Sequence, residues 1–404
     1  MAVPTSVNAT SVAAMIKELY PQRRIDRMWE LHYPLLSEIK KSDRFDGRSL
    51  HVPVETDHPA VSGAFASAQA NYFATSSESF ELTPVDLYGV SRIVSKTMRQ
   101  ARSNTGAFVR VLDREIENLL KAMRKRAALA LYRDQGGSLG QVASIDTATY
   151  TLVNKTDVAN FSVGALVFLA DESDGGTPRN SSQDEQVTAI DFTAGTITLA
   201  AAITGDEVGD YFFVVGDDST ANLGSAAGLE SWITPSTPGA LFGVTRTSQP
   251  ERLSGHKITD TSMSIHEAIQ EAAYAISFTG GSPNRAYMNP LQMKNLANEL
   301  NTQVVRDPGG TGKTGFSGFN VQTAVSTITV MGDPTCPETH CFVGDLDTLE
   351  LVHLDPFPHI VEDDDLRMLR VSNADAVEVR ARGWWNMLCT APGHWANITL
   401  GAAR

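Results

Sequence analysis

Hydrophobic positions along this chain change period several times, and the longest run with one period lies between Asn104 and Arg133. There Val109, Leu112, Ile116, Leu119, Leu120, Met123, Ala127 and Leu131 recur three or four places apart, which draws one continuous stripe along a helix. Asn104 can cap its first turn, no proline interrupts it, and Gly136-Gly137 end it just past Asp134. At 1.5 Å of rise per residue such a helix is about 45 Å long, a strut rather than an ordinary core helix. Ahead of it, Ser11 to Lys41 reads as short helical pieces broken by Pro21 and Pro34. Two extended runs follow, Ser49 to Glu55, where Pro53 demands an edge position, and Ser79 to Val94. His58 to Ser77 between them is too long for a turn inside a compact body, so the pattern predicts a long hairpin that finds its partners on another molecule.

Beyond the helix the period falls to two. Candidate strands at Tyr150 to Val153, Ala165 to Leu169, Glu185 to Ile190, Thr196 to Leu199 and Tyr211 to Val215 are separated by turn residues such as Asp174-Gly175-Gly176 and Gly209-Asp210. This spacing predicts a small all-β barrel or sandwich between Val142 and Gly216, an insertion by its composition. Ser219 to Gly255, rich in Gly, Ser and Pro, reads as loop or linker. Helical order resumes at the capping box Ser264-Ile265-His266-Glu267, whose helix closes at Gly280. Arg285 to Met288 reads as a strand, Asn289-Pro290 as the start of a helix over Leu291 to Leu300, and His340 to Val343, Thr348 to His353 and Val377 to Arg382 as late strands. The body is therefore α+β.

Composition narrows the class without changing this picture. A length of 404 residues implies two or three packed units, and 42% hydrophobic with 20% charged residues is ordinary for globular domains. No apolar run approaches the roughly 18 residues a bilayer demands, and no basic region precedes an apolar one at the N-terminus, so no membrane is implied and the protein is expected to stay in the cytoplasm where it is made. Three cysteines, Cys336, Cys341 and Cys389, read as free thiols of a reducing compartment. The net charge of -14 opposes tight binding of nucleic acid through phosphates, yet it suits a wall around nucleic acid that must not grip its contents.

Candidate chemistry is sparse. Asp307 to Thr314 ends in Gly-Lys-Thr, but a phosphate loop needs glycine where Asp307 stands, so a glycine-rich surface loop is the better reading. Cys336, His340, Cys341, Cys389 and His394 lack the spacing of zinc knuckles. Glu362-Asp363-Asp364-Asp365 offers oxygens to a hard cation, although such a run more often forms a solvated turn or meets basic residues on a neighbour. No Gly-x-Ser-x-Gly elbow and no His-Glu-x-x-His is present, since Ala268, Ile269 and Gln270 follow His266-Glu267. No catalytic residue, cofactor or metal is assigned, and the chain is not expected to be an enzyme. The basic residues Arg110, Arg114, Lys121, Arg124, Lys125, Arg126 and Arg133 follow the acidic Asp113, Glu115 and Glu117, an order that suits the helix dipole and needs no nucleic acid.

This order of elements resembles the major capsid proteins of tailed bacteriophages with the Hong Kong 97-like fold. Tyr287-Met288-Asn289-Pro290-Leu291 is similar to that family's strand-to-helix step in the axial domain, Cys341 to Asp345 followed by Leu349-Glu350-Leu351 to its Gly-Asp turn, and Ala376 to Arg382 to its closing peripheral strand. The resemblance implies an N-terminal arm (1–44), an extended loop (45–100), a spine helix of the peripheral domain (101–141), an inserted β-barrel-like domain (142–217), a linker with the axial domain (218–345) and late strands of both domains (346–404). It further implies a virion protein, made in the bacterial cytoplasm, that self-assembles through hexamers and pentamers into an icosahedral shell around double-stranded DNA. A separate scaffolding protein, a portal and a decoration protein are its implied partners. No lysine lies between Lys41 and Lys96, so lysine-to-asparagine crosslinking at the loop tip is not expected. An encapsulin-like compartment and a tail or receptor-binding protein are the alternative readings.

Overall fold

The computed structural model describes residues 33–45, 47–57, 61, 63–70, 76–96, 105–181, 183–215, 225–234, 238–247, 249–301, 319–361, 369–371 and 373–401. The expected helical pieces before residue 33 and the segments Asp307–Thr314 and Glu362–Asp365 lie outside the described residues. The chain opens with helix α1 (Pro34–Glu38) and strand β1 (Lys40–Ser42). Pro34, expected to break a helix, begins one, because a proline ring fixes the backbone for the first helical position and the missing N–H is not needed there. Strand β2 (Leu50–Asp57), helix α2 (Phe65–Ala70) and strand β3 (Ser76–Leu82) form the expected hairpin. The run expected to continue to Val94 divides at Thr83-Pro84. Its second half, β4 (Val85–Val94), leaves the hairpin and pairs elsewhere.

Helix α3 (Thr105–Ala130) is the predicted strut, 26 residues long. It stops short of Arg133 because Leu131, Tyr132 and Arg133 are drawn out of the helix to give their carbonyls to another segment: the N–H groups of Leu229, Glu230 and Gly228 donate to them at 2.7, 3.3 and 3.0 Å. The donors belong to Ser219–Gly255, the stretch expected to be a linker. Its described residues 225–234 instead join the main core, with Ala226, Ala227, Leu229, Trp232 and Ile233 fully buried. Gly228 within the stretch is required by tight packing, whereas Gly239 and Gly243 have open space around them. A Cβ at Gly228 would collide with the carbonyl oxygens of Ala130 and Arg133 and lie 2.7 Å from the Leu131 carbonyl carbon.

Next come β5 (Gly140–Asp146), β6 (Thr149–Leu152), β7 (Leu166–Ala170), β8 (Glu185–Asp191), β9 (Thr196–Leu199) and β10 (Tyr211–Val214), which close into a barrel in the order β10-β5-β6-β9-β8-β7. The alternating pattern found five of these strands and missed β5, in which Gly140 and Val142 are buried, Ile145 packs partly against the core and residues 143, 144 and 146 are exposed. The core of the barrel is its own, built on Tyr150, Phe161, Val167, Leu169, Ile197 and Phe212, and the end of α3 enters it only through Leu129.

The remainder holds α4 (Leu229–Trp232), β11 (Ala240–Leu241), β12 (Val244–Thr245), α5 (Pro250–Ser254), β13 (His256–Ile258), α6 (Ile265–Phe278), β14 (Arg285–Met288), α7 (Pro290–Asn301), β15 (Phe319–Gln322), β16 (Thr327–Gly332), β17 (His340–Gly344), β18 (Leu349–His353), β19 (His359–Ile360), β20 (Leu369–Arg370), β21 (Ala376–Cys389) and β22 (Trp395–Thr399). The capping box of α6 forms as predicted, with the Ser264 hydroxyl accepting from the Glu267 N–H. One sheet runs β13-β22-β17-β14-β16-β15 and packs Ile328, Val343 and Ile398 against Ile269, Ala272 and Ile276 of α6. The second is organised by β21, which pairs with β18, β19, β20 and β4. At the turn between β17 and β18 a Cβ on Gly344 would enter the Trp395 ring, so glycine is obligatory there.

Gly228→Ala drives a methyl group into backbone that cannot retreat, and the expected loss is about 3 kcal/mol of unfolding free energy. Urea unfolding measures it, with Gly280→Ala, where no atom lies within 4 Å of the added carbon, as the milder comparison at a position strained only by its φ of +87°.

Candidate assembly surfaces

The hairpin is anchored at its base and bare at its tip. Val52, Phe80 and Leu82 are buried in the main core, where the Phe80 ring meets Trp232 edge-on at 5.1 Å. The Glu81 N–H donates to the Phe242 carbonyl at 2.9 Å. Farther out, β2 and β3 are paired only with each other, α2 has no buried residue, and Val61 and Phe65 are 96% and 80% exposed. A lone two-stranded ribbon is marginal in water, so a partner for this tip is implied by its physics.

Helix α3 supports the base of the second sheet. Gly89 of β4 faces it so closely that an added Cβ would lie 2.8 Å from Leu119 and 3.3 Å from Met123. Lys125 in the second half of α3 and Arg133 just past its end are used within the chain. Arg133 donates to buried Asp157 at 2.5 Å, and Lys125 reaches the Ala159 carbonyl at 2.6 Å. Both acceptors belong to the barrel, so this end of the strut is also the seat of the barrel.

Several carboxyl groups crowd that seat. Asp134 accepts hydrogen bonds from Ser173 of the barrel and Ser231 of α4. Asp157 is pushed up by burial, opposed by Arg133 and by the Asn154 amide at 3.2 Å. Glu230 is pushed up to about 7, first by burial and then by Asp134, with Arg133 pulling the other way. The N-terminal segment has a carboxylate of its own. Asp333 accepts from the Leu35 N–H, the Tyr132 hydroxyl and both the N–H and hydroxyl of Thr335, and burial still raises its affinity for a proton. Glu38 receives Arg285 and Tyr287, and Glu350 receives Lys40 and Arg44, which ties residues 33–45 to both sheets.

The sulfur and imidazole candidates are not gathered into one place. Cys336 and Cys389 lie in the main core and Cys341 in the core beneath α6. Burial raises all three thiols, Cys341 and Cys389 to about 12. His340 turns its ring to Asn397 at 2.9 Å, and His394 stands beside Gly281. Among the described residues no group of three His, Cys, Asp or Glu is arranged to hold a metal, and no helix is long and apolar enough to cross a membrane.

No family model matches the sequence, and neither does any curated protein. Solved structures do match. A chain of the cyanophage A-1(L) capsid asymmetric unit superposes with a TM-score of 0.59 over 96% of this chain and 98% of its own, at 11% identity. The chain has the fold of a phage capsid subunit. A chain from Mycobacterium phage Adephagia (TM-score 0.48, 11% identity, 99% of this chain and 100% of that one) and one from the capsid of an empty GTA particle (0.45, 11%, 94% and 100%) are more distant matches.

Glu230 holds its proton more tightly in the folded chain, at about 7, than a carboxyl at its usual 4.5. Its contribution to stability is therefore fully present below pH 4.5 and is lost as the pH rises through 7. Glu230→Gln should stabilise the protein at pH 8 by about 2 kcal/mol and leave it nearly unchanged at pH 4.5. Melting curves of both proteins across this range read the difference directly.

Proposed function

We propose that this chain is the major capsid subunit of a tailed phage with the Hong Kong 97-like fold, which assembles into an icosahedral shell around double-stranded DNA. The observation that carries the proposal is the hairpin: a two-stranded ribbon with Val61 and Phe65 exposed near its tip, standing on a body similar in fold to a cyanophage capsid chain. A shell subunit needs a clasp that is useless in isolation, and this is one. In this reading the sheet around β21 with α3 is the peripheral domain, and the sheet from β13 to β15 with α6 and α7 is the axial domain. The closed barrel of β5 to β10 is an insertion at the end of the spine helix, held by Arg133 and Asp157. Residues 1–44 act as the arm.

Mechanistically, closed symmetric assembly follows when each subunit offers a projecting element and a seat for its neighbour's. Contacts are noncovalent at the loop, since no lysine lies between Lys41 and Lys96. A separate scaffolding protein sets curvature, a portal occupies one vertex, and the finished virion is where the protein resides. The shell wall, with a net charge of -14 per subunit, confines DNA without binding its sequence.

Expression with its scaffolding protein should give uniform closed particles by electron microscopy; a chain that stays monomeric at high concentration with that partner present overturns the proposal. Deletion of residues 60–77 should abolish particles while circular dichroism and melting of the monomer stay close to the parent, because α2 contributes nothing to the core.

A further inference from the structure

The barrel is seated on the body by polar contacts more than by apolar ones. Arg133 pairs with Asp157, Lys125 donates to the Ala159 carbonyl, Asn289 of the body donates to the Thr156 hydroxyl at 3.3 Å, and Ser173 of the barrel donates to Asp134 at 3.1 Å. Of the strut, Leu129 alone enters the barrel core. A small polar junction between units with separate cores leaves rigid-body motion of one against the other as the default. Glu230 of α4 faces this junction, partly exposed, with its own N–H donating to the Tyr132 carbonyl. No described residue donates a hydrogen bond to its carboxyl group. Asp134 beside it is well supplied, taking the hydroxyls of Ser173 and Ser231 and the N–H of Gln135.

The titratable and charged groups that face Glu230 come from every element around it. The strut end contributes Arg133 and Asp134, the barrel contributes Asp157 and Tyr211, and buried Arg246 acts on Asp134. Arg126, next to Gly137 and Ser225, has a partner of its own. With Glu230 neutral, Arg133 and Arg246 balance Asp157 and Asp134. An ionised Glu230 adds a negative charge with no donor to stabilise it, facing Asp134 of the strut and Asp157 of the barrel, and like charges in such a place repel. The repulsion acts across the junction. We propose that Glu230 is a proton-operated latch: protonated, it lets the barrel sit on the strut as described above, and ionised, it drives the barrel off that seat to move as a unit around its intact core. The carboxyl keeps its proton up to a pH of about 7, so the barrel is seated below that pH and released above it. The latch needs only the folded subunit and works whether or not subunits form a shell.

Spin labels on ketone side chains introduced at Phe192, in the exposed turn after β8, and at Gln270, on the exposed side of α6, report the barrel against the body in the full chain. The parent should show one narrow distance below about pH 6 and a broad or displaced distribution above about pH 8, with the seated population at least about threefold smaller. Glu230→Gln, which cannot ionise, should keep the narrow distance across the whole range; Glu230→Leu carries the same expectation if the amide does not fold. Glu251→Gln, at an exposed carboxyl of α5, should respond to pH as the parent does. A parent distribution that ignores pH, the same transition in E230Q or E230L, or loss of the transition in E251Q would each overturn the proposal. So would loss of near-ultraviolet circular dichroism over the same range, because that reads unfolding rather than motion of a folded barrel.

Discussion

The last carbonyl groups of a helix must find donors, and in this chain the way that need is met determines how the parts are joined. The three residues that follow α3, Leu131 to Arg133, give their carbonyls to the N–H groups of Gly228, Leu229 and Glu230, almost a hundred positions later. Between the two partners lies the whole barrel. Its entry and exit are thereby held together, and it can close on itself as a unit with its own core. The same junction carries Trp232 into the main core, against which the base of the hairpin rests through Phe80. Strut, barrel and hairpin are connected through one seam of backbone hydrogen bonds, with a glycine where any side chain would pry it open.

That seam is also where charge is concentrated in a dry place. Arg133 lies among Asp157, Asp134 and Glu230, and buried Arg246 also faces Asp134. A buried ion pair adds little net stability, but removing one partner leaves a charge without compensation. The arrangement therefore specifies which barrel surface meets the strut more than it strengthens the contact.

Much of this was legible in the sequence because period and turn chemistry are local. The stripe from Val109 to Leu131, the capping box at Ser264 and the strands of the barrel follow from neighbours a few residues apart. The hairpin was visible by elimination, as a length of chain with no place in a compact body. What escaped depended on distant partners. Ser219–Gly255 resembled a linker, yet Gly228 within it serves close packing against the residues that end the long helix. Strand β5 lacks a clean alternation because two neighbouring residues, 143 and 144, are both exposed. The contact of Tyr88 with Trp384 could not be seen at all, since it depends on a strand pairing that spans nearly three hundred residues.

The three thiols, each sealed in a core and hard to ionise, give this protein an unusual chemical silence at its surface. Oxidants and alkylating reagents attack the thiolate, and here there is almost none to attack. A cysteine placed by design at any exposed position would be the single accessible thiol of the subunit. Repeated by symmetry, such a site would turn the assembled object into an evenly spaced array of attachment points, addressable without first stripping the protein of its own cysteines.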